Sequence, residues 1–400
     1  MPSLSQVLDG FVPSRISEIT SLAARLKEEG RDIVNLSVGE PDFDTPEHVR
    51  DAAHRAIDAG LTKYTPIDGS TALRAAIQRK FRRDNDLDYD LDQIAASFGA
   101  KPLLFTALQA LLDPGDEVII PAPCWTSYPG MVALAGGRAV IVPTSIEANF
   151  KLTPEALAAA IGPRTKCLIH CSPSNPTGAA YNAQELQALT AVLVDHPDVW
   201  IISDDLYEHI LFDGTRFATP AQIEPRLTAR TLTVNGVSKG YAMTGWRVGY
   251  AGGPKPLIAA IRKVLSQTSG GLCAISQAAA IEALDGPQDF LAARAEIYRH
   301  RRDMCVAEIG RAPGLRARSP DGAFYLFVYC GGVLGKRTPA GARIDSSSDF
   351  VRYLLETFGV AVVPGIAFES DPYFRLSFAA ADQVLAEGLR RITEACSALE

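Results

Sequence analysis

Four apolar segments of the chain are each followed by polar residues that could do chemistry together. These residues are Ala100 and Lys101 after segment 94–97, Asn175 after segment 166–170, Asp204 and Tyr207 after segment 200–203, and Lys239 after segment 231–234. In an open parallel sheet the carboxyl ends of the strands meet at one edge, and ligands bind in the crevice there. We therefore expect these side chains to surround one site.

Each group suits a different part of one small molecule. A carboxylate such as Asp204 can pair with a protonated ring nitrogen, and Tyr207 and Asn175 can hydrogen-bond a phenolate oxygen. The helix start after the first segment offers free N–H groups to a phosphate, and Arg247, eight residues after Lys239, offers a second phosphate ligand. The amine of Lys239 can capture an aldehyde. Ring nitrogen, phenolate, aldehyde and phosphate together describe pyridoxal 5′-phosphate (PLP).

Two other groupings contain metal-ligating residue types. Cys167, His170 and Cys171 are close in sequence, but they lie in an apolar segment and no second ligand cluster completes a coordination shell. Asp204 and Asp205 are compatible with a metal pair or a helix cap as well as with the cofactor role. We predict no metal, and the odd count of seven cysteines does not suggest a disulfide framework.

Composition excludes several classes of protein. The 400 residues are 47% hydrophobic and 21% charged, which is typical of a globular protein. The net charge of −7 disfavours a nucleic-acid partner. No apolar run is long enough to span a membrane, and residues 1–10 do not resemble a secretory signal. These observations predict a cytoplasmic protein.

Apolar strands alternate with helices through the middle of the chain. The predicted strands are 33–37, 94–97, 117–121, 139–142, 166–170, 200–203 and 231–234. The predicted helices are 16–29, 46–59, 70–84, 101–112, 126–135 and 182–194. This alternation indicates an α/β fold, a largely parallel sheet with helices on both faces.

The pattern changes after about residue 286. A long helix at 287–310 precedes a strand at 323–329, a helix at 348–357, strands at 360–363 and 374–378, and a final helix. This order predicts a smaller α+β domain. We interpret 46–286 as a large cofactor-binding domain, 287–400 as a small C-terminal domain, and 1–45 as a segment that packs with the small domain.

Seven short motifs occur in an order that identifies a family. They are Gly39–Pro46 (GEPDFDTP), Lys63–Thr65 (KYT), Asn175–Gly178 (NPTG), Ser203–Tyr207 (SDDLY), Ser238–Gly249 (SKGYAMTGWRVG), Gly322–Tyr325 (GAFY) and Phe374–Ser377 (FRLS). With these motifs the chain resembles class I (fold-type I) PLP-dependent aminotransferases, including bacterial aspartate aminotransferases, over nearly its whole length. The resemblance implies the PLP-dependent transferase fold of type I, with a mainly parallel seven-stranded sheet and a smaller α+β domain.

The resemblance also implies a role for each site residue. Lys239 would bond covalently to the cofactor, and Asp204 would keep the pyridine nitrogen protonated. The other cofactor contacts would be Tyr207 and Asn175 at the phenolate oxygen, Trp125 stacked on the ring, Ala100, Lys101 and Arg247 at the phosphate, and Tyr64 from a second subunit. Substrate would be bound by Arg375 and the Gly39 backbone at its α-carboxylate, and by Trp125 and Asn175. The active form would be a homodimer with shared sites.

Substrate choice stays open at this point. The expected reaction is ping-pong transfer of an amino group from an amino acid, with aspartate favoured, to a 2-oxo acid such as 2-oxoglutarate. Lys101 or Arg262 would bind the distal carboxylate of an acidic substrate, unless both are ordinary solvated side chains. Apolar residues in segment 15–19 favour the alternatives, an aromatic-amino-acid or prephenate aminotransferase.

Three other functions are weaker alternatives. A PLP β-lyase would share the fold and the same lysine. A transcriptional regulator with an aminotransferase-like domain would need a DNA-binding module, and only about 30 residues precede the first predicted strand. A dinucleotide-binding dehydrogenase would need a Gly-x-Gly-x-x-Gly turn after the first strand, which is absent from the sequence.

Overall fold

The structure is a computed structural model that describes residues 15–400. The strands are β1 Val34–Asn35, β2 Ile94–Ser97, β3 Glu117–Ala122, β4 Arg138–Pro143, β5 Thr165–Cys171, β6 Trp200–Asp204, β7 Thr231–Gly236, β8 Gly249–Gly252, β9 Arg316–Ala317, β10 Tyr325–Tyr329, β11 Val360–Ala361, β12 Val363–Pro364 and β13 Tyr373–Ser377. The helices are α1 Arg15–Glu28, α2 Glu47–Asp58, α3 Thr71–Asn85, α4 Ala100–Leu111, α5 Ser127–Leu134, α6 Pro154–Ala160, α7 Ala183–Val194, α8 Pro220–Ile223, α9 Lys255–Thr268, α10 Ala274–Asp285, α11 Asp289–Ile309, α12 Ser347–Phe358 and α13 Asp382–Ser397.

Seven strands form the large sheet in the order β2-β8-β7-β6-β5-β3-β4. The four neighbouring pairs from β7 to β4 are parallel, so the predicted mainly parallel seven-stranded sheet is confirmed. Side chains alternate between its two faces, as strand geometry requires. In β2, for example, Ala95 packs with the apolar residues of α4 and α9, whereas Ile94 and Ala96 pack with those of α3 and α10 on the opposite face.

Strand β8 was missed by the sequence prediction, which found six of the seven strands. It lies between β2 and β7 and runs antiparallel to both. Its sequence, Gly-Tyr-Ala-Gly, has two glycines and only one large apolar residue, so it lacks the pattern of a buried strand. Helices α9 and α10 also lay outside the predicted elements, although both are clearly formed.

The smaller sheet is antiparallel, with the order β12-β13-β10-β9. The single strand predicted at residues 360–363 is wrong, because this segment contributes to two sheets. Val360 and Ala361 pair with β1 from the N-terminal part of the chain, whereas Val363 pairs with Arg375 of β13. This switch brings the N-terminal part of the chain against the small sheet and sets the register of Arg375.

Helix α11 is anchored to segments on both sides of it in the chain. Arg301 donates two hydrogen bonds to the Asp42 carboxylate and one to Asp382 at the start of α13. The domain limits given above remain a prediction. Across residues 15–400, no helix combines the length and the apolar character needed to cross a membrane.

Candidate functional site

A pocket of about 520 Å³ opens at the carboxyl ends of the large-sheet strands. Of the eleven residues assigned to the site from sequence, ten line it: Gly39, Ala100, Lys101, Trp125, Asn175, Asp204, Tyr207, Lys239, Arg247 and Arg375. They come from the ends of β5, β6 and β7, from the start of α4, from β13 of the small sheet, and from the segments that follow β1, follow β3 and precede β8. Residues at the carboxyl ends of the sheet strands therefore do surround one cavity.

Tyr64 is the predicted residue that the same chain does not bring into this pocket. Its side chain is fully exposed and lies beside a second depression, of about 310 Å³, formed by residues 60–65 and the start of α10. A role for Tyr64 in the pocket would therefore need a second copy of the chain.

Lys239 reaches the centre of the pocket. Its Nζ donates a hydrogen bond to the Gly39 carbonyl oxygen at 2.7 Å. Burial, followed by the charge of Arg375, lowers the pKa of the Lys239 ammonium to about 8. Gly39 must be a glycine here, because a Cβ at this position would lie 2.4 Å from the Tyr325 hydroxyl oxygen. The site thus holds an amine that gives up its proton more readily than an ordinary lysine.

Asp204 ends β6 at the floor of the pocket and is only 5% exposed. Its Oδ2 accepts a hydrogen bond from the Tyr128 hydroxyl at 2.5 Å, whereas its Oδ1 has no hydrogen-bond partner in the described part of the chain. Burial raises the pKa of the Asp204 carboxyl, and the Tyr128 bond opposes that rise. A buried carboxylate with a free oxygen is suited to a cationic N–H group from a ligand.

Arg375 provides the opposite charge and is 2% exposed. Its guanidinium donates to Asn175 Oδ1 at 3.0 Å and to the Ser37 carbonyl oxygen at 2.6 Å, and it lies over the Tyr325 ring. Burial lowers the pKa of Arg375. All of these acceptors are neutral, and among residues 15–400 Arg375 Nε has no hydrogen-bond partner. An anionic ligand would supply the missing countercharge.

The start of α4 forms an anion cradle with Arg247. Gly99 precedes the helix with φ +101°, a backbone conformation that favours glycine, and the Arg247 guanidinium lies 2.4 Å from the position that a Cβ would take. Arg247 itself has a left-handed backbone (φ +55°) and donates to the Thr244 carbonyl oxygen. Lys101 is on the same turn, with its Nζ 4.8 Å from the centre of the Trp125 ring. Partial desolvation and the charge of Arg247 lower the pKa of Lys101.

Three further residues of the pocket lining were given no role in the site from the sequence. Tyr128 contacts Asp204, Tyr325 shares a 2.8 Å hydrogen bond with the Tyr207 hydroxyl, and Cys171 lies beside both aromatic groups in the pocket wall. Tyr325 belongs to the Gly322–Tyr325 motif, but nothing in the sequence assigned it a role. Tyr128 follows Trp125 by three residues, the spacing of one helical turn, and that spacing was the available signal.

The residues with metal-ligating side chains do not join this pocket as a cluster. Asp84, Glu208 and His209 bring ligand atoms within 4.8 Å of one another behind the pocket, but the Lys80 ammonium forms ion pairs with Asp84 and Glu208. His170 is buried against the Tyr181 ring, and burial lowers its pKa to about 4. This burial agrees with the position of His170 in an apolar segment of the sequence.

The pocket fits PLP on features of its own. The free Oδ1 of Asp204 suits a pyridinium N–H, the cradle at Gly99 and Arg247 suits a phosphate, and the amine of Lys239 suits the aldehyde. Tyr207 and Asn175 line the same pocket and offer a hydroxyl and an amide to the phenolate oxygen.

Comparison with known proteins gives a consistent result. A profile of the family described as aminotransferase class I and II matches residues 31–392. The aspartate aminotransferase of Rhizobium meliloti (strain 1021) is 54% identical over 386 residues, which are 96% of this chain and 94% of that protein. The aspartate/prephenate aminotransferase of Cereibacter sphaeroides (strain ATCC 17029 / ATH 2.4.9) is 53% identical over 100% of both chains.

Solved structures agree with these relatives. The crystal structure of the Rhizobium meliloti aspartate aminotransferase has a TM-score of 0.97 at 52% identity and covers 100% of both chains. The Thermus thermophilus aspartate aminotransferase with maleate has a TM-score of 0.91 at 42% identity, covering 99% of this chain and 100% of that one. This chain therefore belongs to the class I and II aminotransferase family and is a PLP-dependent aminotransferase that transfers an amino group from an amino acid to a 2-oxo acid.

Proposed function

We propose that the chain is an aspartate:2-oxo acid aminotransferase in which Lys239 binds the cofactor covalently and moves the proton. The observation that carries this proposal is the position of the Lys239 amine, which lies in one pocket with the Asp204 carboxylate and the Arg375 guanidinium and has a pKa of about 8. An amine with that pKa is partly neutral near pH 7–8, and only a neutral amine can accept a proton.

The cofactor-binding roles follow from the unused bonding capacity of the pocket. Asp204 Oδ1 would accept the pyridinium N–H, Tyr207 and Asn175 would hydrogen-bond the phenolate oxygen, and Trp125 would lie against the ring face. The Ala100 N–H and Arg247 would hold the phosphate at the start of α4. When bound, PLP supplies a conjugated ring that accepts the electrons left at the substrate Cα after its proton departs.

Substrate would be held by its α-carboxylate. Arg375 is buried and fixed by two neutral acceptors, so it would present its remaining donors to a carboxylate without reorganising. The Gly39 backbone is next to it in the pocket. With the carboxylate fixed there, the substrate amine would replace Lys239 on the cofactor, and the freed Lys239 Nζ would then take the proton from the substrate Cα and later return it on the product side.

Lys101 is our candidate for the distal carboxylate of aspartate. It lines the pocket, has no ion-pair partner among the side chains described from residue 21 onward, and lies over Trp125. The relatives named above are aspartate or aspartate/prephenate aminotransferases, and one solved neighbour was determined with the dicarboxylate maleate. Arg262 is a weaker candidate, since it pairs with Asp68 at 2.6 Å within its own chain.

An aspartate/prephenate specificity is the second candidate, favoured by the Cereibacter relative. The apolar contacts that we expect from segment 15–19 would bear on it, but the side chains of residues 15–18 lie outside the described part of the structure.

We also propose a homodimer with shared sites. Tyr64 is fully exposed beside an open depression lined by Leu61, Ala274 and Ile281, and it cannot reach the pocket of its own chain. A second copy covering this surface would bury the apolar lining and deliver the Tyr64 hydroxyl to the partner's phosphate cradle.

A panel of amino donors against 2-oxoglutarate and oxaloacetate tests the specificity, with Lys101→Ala and the control Arg262→Ala beside the native protein. We expect Lys101→Ala to lower kcat/KM for aspartate and glutamate about 10- to 100-fold, the range for a hydrogen bond to a charged group, and to spare aromatic donors. An equal loss for every donor would assign Lys101 to the phosphate instead. Repeated turnover of one amino acid with release of ammonia and no 2-oxo acid acceptor would indicate β-lyase activity, because the first half of a ping-pong transamination releases only one equivalent of product per site.

A further inference from the structure

Tyr128 is placed to control the orientation of Asp204. It lies in the first turn of α5, is 2% exposed, and donates its hydroxyl to Asp204 Oδ2 at 2.5 Å. Burial, followed by the charge of Asp204, raises the pKa of Tyr128 well above its ordinary value. The phenol therefore stays protonated over the working pH range and remains a hydrogen-bond donor.

The same residue also fixes Trp125. The Tyr128 and Trp125 rings meet edge to face with centroids 5.3 Å apart and planes at 87°, and the Tyr128 N–H donates to the Trp125 carbonyl oxygen. Such a pair is stabilising and sets the tilt of both rings. One side chain thus contacts two residues that would bind the cofactor ring, Asp204 at its nitrogen and Trp125 on its face.

The neighbouring Cys171 does not replace this bond. It lies directly opposite Asp204 in the β5–β6 pairing, but its thiol donates to the Pro173 carbonyl oxygen at 3.6 Å. Tyr128 is therefore the side-chain donor to Asp204 within the described residues. Without that bond, the buried carboxylate would have no side-chain donor to offset its desolvation, and the hydrogen bond from the Leu206 backbone would be left to oppose the rise of its pKa.

We propose that Tyr128 is a positioning residue for the cofactor: its hydroxyl holds Asp204 with Oδ1 directed at the pyridine nitrogen, and its ring holds Trp125 flat against the cofactor. The proposal rests on the cofactor roles given above for Asp204 and Trp125. The hydroxyl acts through Asp204 and does not touch the reacting atoms. Its loss should therefore weaken cofactor binding and kcat together, and leave substrate KM nearly unchanged.

The first test is Tyr128→Phe, which removes the hydroxyl and keeps the ring. PLP affinity of the cofactor-free protein is measured by absorbance titration, and kcat and KM with one donor–acceptor pair. We expect the PLP Kd to rise about 10-fold and kcat to fall about 10- to 100-fold, the range for one hydrogen bond to a charged group, with KM within about 3-fold. The control is Tyr89→Phe, which removes a buried hydroxyl bonded to Thr233, outside the pocket lining.

A double-mutant cycle separates this role from a general packing role. In an Asp204→Asn background, Tyr128→Phe should have little further effect on PLP Kd, because the two residues act as one unit. Tyr128→Leu, which also removes the ring edge from Trp125, should weaken binding beyond the Phe variant. Thermal unfolding of the cofactor-free variants shows whether each one folds.

Four results would overturn the proposal in whole or in part. If Tyr128→Phe matches Tyr89→Phe in Kd and kcat, or keeps its full effect beside Asp204→Asn, the hydroxyl does not act through Asp204. If the Leu and Phe variants bind PLP equally, the Trp125 part is wrong. If instead the native protein binds PLP and transaminates but Asp204→Asn does so equally well, the role proposed for Asp204 itself fails.

Discussion

Asp204 and Glu208 are four residues apart and equally buried, at 5% exposure. Their pKa values are nevertheless shifted in opposite directions. Burial raises the pKa of Asp204, and the bonds it receives do not fully offset this. Burial also raises the pKa of Glu208, but the Lys80 ammonium and His209 outweigh it and the net shift is downward. The difference lies in the countercharge, because Glu208 has a cation in direct contact and Asp204 has a neutral phenol.

The two regions show what a functional charge looks like in this fold. Behind the pocket, Lys80 is fully buried and bonded to Asn85 Oδ1 at 2.6 Å, and Asn85 in turn donates to Glu208 at 2.7 Å. In the pocket, Asp204 and Arg375 each keep an unpartnered buried atom, as judged from residues 15–400. Glu208 therefore has its countercharge within the chain, whereas Asp204 and Arg375 have only neutral side-chain partners in the pocket, and a ligand would supply theirs.

The largest effect expected from this contrast is a loss of stability when Glu208 loses its countercharge. Lys80→Met leaves Glu208 as a buried carboxylate without its countercharge, and should lower the free energy of unfolding by about 3–5 kcal/mol. Urea denaturation of the PLP-loaded protein at fixed protein concentration measures it. The double variant Lys80→Met/Glu208→Gln should recover part of the loss. A cost for Lys80→Met below about 1 kcal/mol, the value of an exposed pair, would mean that the cluster is not a structural ion pair.

Replacing Lys239 in the cofactor-free protein should raise the free energy of unfolding, whereas replacing Lys80 should lower it. The folded pKa of about 8 is below the unfolded value of about 10.4, so the ammonium destabilises the fold fully below pH 8. Between pH 8 and about 10.4 the unfolded chain binds more protons, and stability rises with pH. Lys239→Met should therefore be more stable than the native protein at pH 7, by about 3 kcal/mol.

Urea denaturation of the cofactor-free native and Lys239→Met proteins from pH 7 to about pH 11 checks this. The difference between them should shrink as pH rises through 8 and disappear above about 10.4. A Met variant that is less stable at pH 7, or a difference that does not change with pH, would mean that Lys239 is not held at a lowered pKa.

How much of this could be predicted from sequence depends on the kind of signal. Asp204, Asn175 and Lys239 were found because each follows an apolar strand, and strand ends in a parallel sheet converge by geometry. Lys80 was not found, because a lysine in an amphipathic helix is normally solvated, and its burial depends on Glu208, a partner more than 120 residues away.

Tyr128 and β8 were missed for different reasons. An apolar ring on a short helix predicts a core contact, and nothing local shows that its hydroxyl meets a carboxylate from another strand. Strand β8 is held by hydrogen bonds to β2 and β7 on both sides, and that pairing overrides a glycine-rich sequence with weak strand preference. Local patterns therefore located the site, whereas long-range contacts decided which of its charges are paired.

Two buried arginines allow the finest comparison between the regions. Arg375 has only neutral acceptors, whereas Arg301 is paired with the Asp42 and Asp382 carboxylates and lies outside the pocket lining. Arg375→Lys keeps the charge but loses the planar pair of donors, and should lower kcat/KM about 100-fold while PLP Kd stays the same. Arg301→Lys should change kcat/KM less than about 3-fold and lower stability instead, since its carboxylate partners lose their bidentate donor. Steady-state kinetics and PLP titration of both variants decide the matter, and equal losses of kcat/KM would show that an open countercharge does not mark the substrate-binding arginine in this pocket.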